Sequence, residues 1–192
     1  ASVANAGVSF IELAPQAPGP YAQGATVDVD VFFHNMEGQA FDVRLATLDW
    51  SATDPALGLP ATFAFDLSTL VADALYARFQ DMPKVDIVYS SGAPTPGFIV
   101  NVPDGGTWHM GTIAVNLPAA DGTYLLDALN PAAPDENTGA RIDYGFDTRT
   151  TLHATSQNLG GGQVRLTVVP EPATLALLGI GGLALLRRRR TA

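Results

Sequence analysis

Two acidic residues at alternate positions, Asp28 and Asp30, have the residue type and spacing for general acid–base chemistry. On a β-strand, residues i and i+2 project from one face about 7 Å apart, which lies within the range that glycoside hydrolases use. Alternating acids are also the ordinary pattern of a strand with one face in water. The spacing therefore favours a solvated strand face, and we predict no catalytic residue.

Oxygen-bearing side chains form two further groups, Asp49 with Asp54 and the run Asp135-Glu136-Asn137. Calcium prefers carboxylate and amide oxygens, so a calcium site is an alternative here. Neither group has the spacing of an EF-hand loop. Loop acids and turn caps explain the same residues, and we predict no metal ligand or other cofactor.

Several reaction classes lack their residues altogether. The chain has no cysteine, which excludes disulfides, thiolate metal sites and thiol catalysis. It also lacks a G-x-S-x-G elbow, an H-E-x-x-H pair, a P-loop and a G-x-G-x-x-G turn ahead of a helix. Its histidines, His34, His109 and His153, are far apart, and lone strand histidines are more often packing residues. We predict a protein that is not an enzyme.

Aromatic residues offer a binding chemistry instead. Exposed ring faces can stack on the apolar faces of sugars. The main candidates for such a platform are Trp50 and Trp108, followed by Tyr21, Tyr89, Tyr124 and Tyr144. Aromatic residues at alternating strand positions also serve as core, so exposure decides between the two interpretations.

The charge of the chain excludes one class of partner. The net charge is −9, and residues 1–170 alone carry −12, because the remaining tail holds one acidic and four basic residues. Binding of phosphate requires clustered Lys and Arg. The basic residues before the tail are scattered singly: Arg44, Arg78, Lys84, Arg141, Arg149 and Arg165. We therefore predict no nucleic-acid partner.

Strand patterns must position all of these residues. Val27, Val29, Val31 and Phe33 alternate with more polar neighbours, the period-two pattern of a sheet with one wet face. Short runs of this kind, separated by Gly- and Pro-rich turns, predict an all-β fold, an antiparallel β-sandwich over residues 7–169. We predict strands at 8–13, 26–33, 41–50, 62–65, 85–89, 98–102, 107–117, 123–129, 150–154 and 164–169.

One segment has a different period. Leu67, Leu70, Val71, Ala74, Leu75 and Phe79 recur at helical spacing. This predicts one short amphipathic helix between Ser68 and Phe79, with Ser68 or Asp66 as its cap.

The chain ends in an apolar run, Ala173 to Leu186, followed by Arg187, Arg188, Arg189 and Arg190. Its leucines cover every side of a helix, which argues against a core helix with a polar stripe. Fourteen residues give about 21 Å of helix against a hydrocarbon core of about 30 Å. The run predicts a short transmembrane-type helix whose arginines stay in the cytoplasm.

Val169-Pro170-Glu171-Pro172, the apolar run and the arginine cluster together resemble the PEP-CTERM sorting signal of exported bacterial proteins. The resemblance covers residues 170–192, with Pro170, Glu171, Pro172 and the four arginines as the sorting motif. It implies recognition by an exosortase, a membrane-embedded cysteine transpeptidase or protease, and cleavage near the motif. It also implies a Gram-negative host that makes exopolysaccharide, and release or attachment at the cell surface. Whether the tail is cleaved or retained as an inner-membrane anchor stays open.

The other end fits export as well. Ala4-Asn5-Ala6 before Gly7 has the small-residue pattern of a signal-peptidase site, so residues 1–6 are interpreted as a signal-peptide remnant. Small residues at a chain terminus are the alternative interpretation.

The body resembles cohesin-like sandwich domains of exported bacterial proteins. The resemblance rests on the strand from Gly24 to Val31, on Gly122-Thr123-Tyr124 and on the closing strand at 164–169. It implies a binding or scaffold module. We expect an exported structural or adhesive protein of the cell surface or extracellular matrix, and the alternative is a carbohydrate-binding module acting on exopolysaccharide.

Overall fold

The computed structural model describes residues 9–60, 62–70, 76–89, 98–130, 140–145, 152–155 and 160–170. These residues are almost entirely β-strand and connecting turn. The strands are β1 Phe10–Pro15, β2 Tyr21–Ala22, β3 Thr26–His34, β4 Phe41–Asp49, β5 Ala64–Phe65, β6 Tyr76–Asp81, β7 Lys84–Tyr89, β8 Val100–Val102, β9 Thr107–Asn116, β10 Gly122–Asp127, β11 Arg141–Gly145, β12 Leu152–Thr155, β13 Gly160–Gly161 and β14 Gln163–Val169.

The strands form three sheets with the orders β13-β1-β3-β9-β5, β10-β14-β2 and β12-β11-β4-β7-β6, and β8 pairs with β4. Most neighbours are antiparallel, while β1 with β13 and β14 with β2 are parallel. The predicted all-β class with antiparallel sheets is confirmed. Each predicted strand overlaps a strand of the structure, and β2, β6, β11 and β13 were not predicted.

The buried hydrophobic side chains of the described residues form one core cluster. The alternation in β3 is as predicted, since Val27, Val29, Val31 and Phe33 are all buried and Asp28 on the other face is exposed. Each fully buried aliphatic or aromatic side chain contributes about 1.5–3 kcal/mol, so the period-two burial of β3 and β9 supplies much of the driving force.

The predicted amphipathic helix is wrong. Leu67–Thr69 is a single 3-10 turn, capped by the Asp66 side chain, which accepts from the Ser68 backbone N–H. Further on, Tyr76–Asp81 is strand β6, paired antiparallel with β7 along its whole length. A short apolar run is ambiguous between helix and strand. Here the pairing with β7 makes Tyr76–Asp81 a strand. Residues 71–75 lie outside the described residues.

The chain termini are also outside the description. The predicted signal-peptide remnant at 1–6 and the predicted transmembrane-type helix at 173–186 both lie outside the described residues. Within the described residues, no helix is both long and apolar enough to cross a membrane.

Candidate functional site

The last strand, β14, leads directly into the predicted sorting motif. Leu166 and Val168 are 0% and 1% exposed and belong to the core, whereas Arg165 and Thr167 point to solvent. Strand β10 pairs with β14 over the six positions from Gln163 to Val168. The chain is therefore part of the β-fold up to Val169, the residue directly before Pro170.

Strand β2 holds the end of β14 from the other side. Tyr21 pairs with Val168 and Ala22 pairs with Val169, in parallel register. The ladder to β10 ends at Val168, so among the described strands β2 alone is paired with Val169. Pro170 follows, and because proline has no N–H it cannot continue the donor side of the ladder.

A groove of about 410 Å³ runs beside this pair of strands. It lies over the face of β14 that carries Arg165, Thr167 and Val169, next to the two-residue strand β2. Its lining residues are Gly19, Pro20, Tyr21, Arg165, Thr167 and Val169. The Tyr21 hydroxyl donates to the Ala17 carbonyl at 2.8 Å, and burial raises the pKa of this tyrosine.

The outer face of β1, β3 and β9 carries a group of titratable side chains. His109 on β9 lies between two carboxylates, with Nδ1 2.8 Å from Asp66 and Nε2 3.4 Å from Asp30. The Phe32 ring packs against the imidazole with a centroid distance of 4.8 Å. The histidine thus ties β3, β9 and the turn at residue 66 together.

The hydroxyl groups near His109 are engaged by the carboxylates. Thr112 donates to Asp30 and Ser68 donates to Asp66, each at 2.6 Å. A nucleophilic hydroxyl instead gives its proton to the imidazole, so neither group is placed for that role. In the described part of the chain, no three His, Asp or Glu side chains are grouped so that they could hold a metal ion.

Both carboxylates are stabilised in their charged form. Burial opposes ionisation of Asp30, but hydrogen bonds from Thr112 and Gln16 and the nearby imidazole outweigh it, so its pKa lies below the usual value. The pKa of Asp66 is also lowered, first by the Ser68 hydroxyl and then by the same imidazole, against a smaller effect of burial. Asp30 therefore belongs to this network, and Asp28, its predicted neighbour, is exposed beside it.

His34 on β3 lies on the same face as His109 and also contacts a carboxylate, a hydroxyl and an aromatic ring. Its Nε2 is 2.7 Å from Glu12 and its Nδ1 is 3.1 Å from the Thr107 hydroxyl. Its ring stacks on Phe10 with a centroid distance of 4.3 Å and an interplanar angle of 9°. These contacts agree with the packing interpretation of the strand histidines, while His153 lies on β12 in a different sheet.

The predicted sugar-stacking platform of Trp50 and Trp108 is contradicted by burial, since the two residues are 1% and 3% exposed. Trp50 packs near Phe63 in the core, with 6.4 Å between ring centroids. Trp108 occupies an inward position of β9, and its Nε1–H donates to the Thr69 hydroxyl at 3.1 Å. Trp108 is turned inward by the alternation of β9, and Trp50, directly after the end of β4, is buried in the core.

The carboxylates proposed as calcium ligands have other partners where they are described. Asp49 is buried and accepts from the Ser51 backbone and hydroxyl and from the Asn130 amide. Asp54 accepts from the Ala56 N–H, as a turn cap does. The run 135–137 lies outside the described residues.

The C-terminal part of the chain matches a known protein family model. Residues 168–190 match the PEP-CTERM protein-sorting motif. This confirms the sorting motif predicted from the sequence, and the match begins two residues inside β14. Residues 1–167 lie outside the match, and no curated protein matches the chain.

Solved structures similar to the body include cohesin modules, in agreement with the predicted cohesin likeness. The third cohesin of ScaC from Acetivibrio cellulolyticus is 10% identical, with a TM-score of 0.48, over 83% of this chain and 99% of that chain. CaCohA2 from Clostridium acetobutylicum is 13% identical, with a TM-score of 0.43, over 84% and 92%. A GH20 exo-β-N-acetylglucosaminidase from Vibrio harveyi is 9% identical, with a TM-score of 0.36, over 85% of this chain and 18% of that chain.

Sequence reasoning missed the contacts of His109 with Asp66 and of β2 with β14. The first pair is 43 residues apart. The second joins opposite ends of the chain through a two-residue strand. Neither has a local pattern, because each exists only once the sheets have formed.

Proposed function

We propose that this chain is an exported, non-enzymatic protein of the cell surface or extracellular matrix, structural or adhesive, delivered through its C-terminal sorting signal. One observation carries the proposal: the sorting motif begins at Val168, on the last two residues of the final core strand. The domain boundaries then follow as a β domain at 7–169 and a sorting signal at 170–192, behind a signal-peptide remnant at 1–6.

This arrangement suits removal of the tail. The last core side chain of β14 is Val168, so a cut at or beyond Pro170 removes none of the core described here. In the precursor, the apolar run from Ala173 to Leu186 enters the inner membrane and Arg187 to Arg190 hold its end in the cytoplasm. The exosortase reads Pro170-Glu171-Pro172 at the membrane surface, and the freed domain passes to the exterior.

The described face around His109 supports a non-enzymatic role, because its hydroxyls and carboxylates bond to one another. The charge of −12 over residues 1–170 opposes binding to nucleic acid. The burial of both tryptophans removes the main candidates for a carbohydrate-binding platform. Exopolysaccharide remains the proposed surroundings of the mature protein.

The test compares the full chain with Glu171→Gln and with a variant in which all four terminal arginines are glutamine, expressed in a Gram-negative host that contains an exosortase. Intact-mass spectrometry and surface fractionation follow each chain. We expect the reference to lose its tail and reach the surface, and both variants to keep their mass and stay with the membrane. Glu12→Gln, the same change at an exposed position of β1, is the matched control and is processed normally. Surface delivery of the variants at the reference mass would refute the proposal.

A further inference from the structure

Two residues of this protein belong both to the folded domain and to the sorting motif. Val168 and Val169 are the first residues of the matched motif and the last residues of β14. Val168 is 1% exposed and lies between Gly122 of β10 and Tyr21 of β2. The segment that a processing enzyme must read therefore starts inside a sheet.

The overlap is important because only Pro170 to Pro172 separate β14 from the apolar run that begins at Ala173. Pro170 to Pro172 span at most about 10 Å when fully extended, because each residue adds about 3.3–3.6 Å. Three paired strands alone are about 10 Å wide between their outer axes, since neighbours lie about 4.8 Å apart. The folded body thus stands beside the cleavage segment, and a cleft that receives extended chain must displace part of the sheet to reach it.

Strand β2 is the part that can be displaced at low cost. It contributes two residues in parallel register, at the edge of its sheet, whereas β10 pairs with six positions of β14. Ala22 is exposed and Tyr21 is half-buried at the edge of the core, so neither residue of β2 is fully buried. The groove beside β14 leaves this edge accessible from solvent.

We propose that the pairing of β2 with the end of β14 is a latch on processing: Val169, followed by Val168, must separate from β2 before the exosortase can cut the chain. This inference rests on the proposed function and adds a control point to it. A folded precursor with a closed latch is a poor substrate, and opening of the latch limits the rate of tail removal.

A disulfide across the latch tests the inference, because the natural chain has no cysteine and two introduced ones have no other partner. Ala22→Cys with Val169→Cys places the pair at register partners, whose Cα spacing of about 4.8 Å suits a disulfide. We expect the oxidised full chain to keep its tail in the processing assay above. Addition of dithiothreitol should restore cleavage.

A second disulfide is the matched control. Thr123→Cys with Thr167→Cys joins β10 to β14 at register partners whose hydroxyls lie 3.4 Å apart. It fixes β14 one residue before the matched motif and leaves Val169 free to separate from β2. We expect its oxidised form to be processed at the rate of the reference. Unfolding temperatures close to that of the reference, or above it, show that both variants fold.

Loosening β2 tests the latch from the opposite direction without changing any residue of the motif. Tyr21→Gly removes the ring that packs at the edge of the core and the hydroxyl bond to Ala17. We expect tail removal to be faster than in the reference at early times. The single variant Val169→Cys should be processed like the reference. If it is not, the rate of tail removal in Tyr21→Gly decides: faster cleavage supports the latch, and unchanged cleavage overturns it.

The outcomes separate the two proposals. If the reference chain itself keeps its tail, the proposed sorting function fails. If the reference is processed and the oxidised latch pair is processed equally fast, the latch is overturned. Equal blockage by both disulfides also overturns it, because the barrier would then be the rigidity of β14 as a whole.

Discussion

Replacing Val168 by alanine tests where the folded domain ends. The residue is 1% exposed, so the change deletes two methyl groups from the core. Their transfer costs about 0.8 kcal/mol per buried group. The cavity left behind adds to this at about 24 cal/mol per Å³, which brings the loss to about 2–3 kcal/mol. At about 2–4 °C per kcal/mol for a chain of this size, the unfolding temperature should fall by about 5–10 °C.

Val169→Ala is the matched control, since it deletes the same groups one residue further on. Val169 is half-buried on the opposite face of β14. The expected loss is below about 1 kcal/mol, because only part of its apolar surface leaves water on folding. The neighbouring pair therefore separates a core position from a surface position within the same motif.

Tryptophan emission measures both variants, because Trp50 and Trp108 are buried and become solvated on unfolding. Heating of the purified full chain in a mild detergent gives the midpoint for each. Equal midpoints for Val168→Ala and the reference would mean that Val168 belongs to a loose tail. That result would refute both the placement of the boundary and the latch.

Three further predictions concern the β domain. Asp30 and Asp66 have pKa values below the ordinary 3.8. Their contribution to stability is therefore fully present above pH 3.8 and is lost as the pH falls through the lowered pKa values. The unfolding temperature should drop below about pH 4, and the double variant Asp30→Asn with Asp66→Asn should flatten this dependence. Gly111→Ala places a Cβ 2.2 Å from a carbonyl oxygen of β5, so this edge should open at a cost of about 1–3 kcal/mol, seen as a lower unfolding temperature. The two tryptophans should resist acrylamide quenching, and soluble oligosaccharides should leave their emission unchanged.

Each of these predictions has a control or a contradicting result. Asp28→Asn removes an exposed carboxylate from the same face and should leave the acid dependence in place. Gly24→Ala also places alanine at a positive φ, but its Cβ meets open space, so it should lose only about 1–2 kcal/mol from backbone strain. A sugar that shifts tryptophan emission would restore the carbohydrate-binding interpretation.

Much of the fold could be predicted because its strands carry a local signal. The alternation of Val27, Val29 and Val31 requires one wet and one dry face whatever strands lie beside it. Strands without such a signal were missed: β2 and β13 are two residues long and are defined only by their partners. Strand β6 carried a helical signal that its pairing with β7 overrides.

The site divides in the same way. The sorting motif is a short linear signal, and it could be recognised without any knowledge of the fold. The exposure of Trp50 and Trp108 could not, because aromatic rings serve both as core and as exposed platforms, and only the packed sheets decide between the two. The cluster of Asp30, Asp66 and His109 depends on three segments that only the sheet brings together.

By itself, the sequence determined the all-β class, the acidic surface without a basic patch, and a sorting motif at the chain end. Composition, period-two burial and linear motifs express these properties locally, so they need no partner segment. Only the tertiary structure decided that the motif begins inside β14 and that β2, from the far end of the chain, holds its first residues. Strand pairing depends on which distant backbones find each other, and it determines how much of the motif is free.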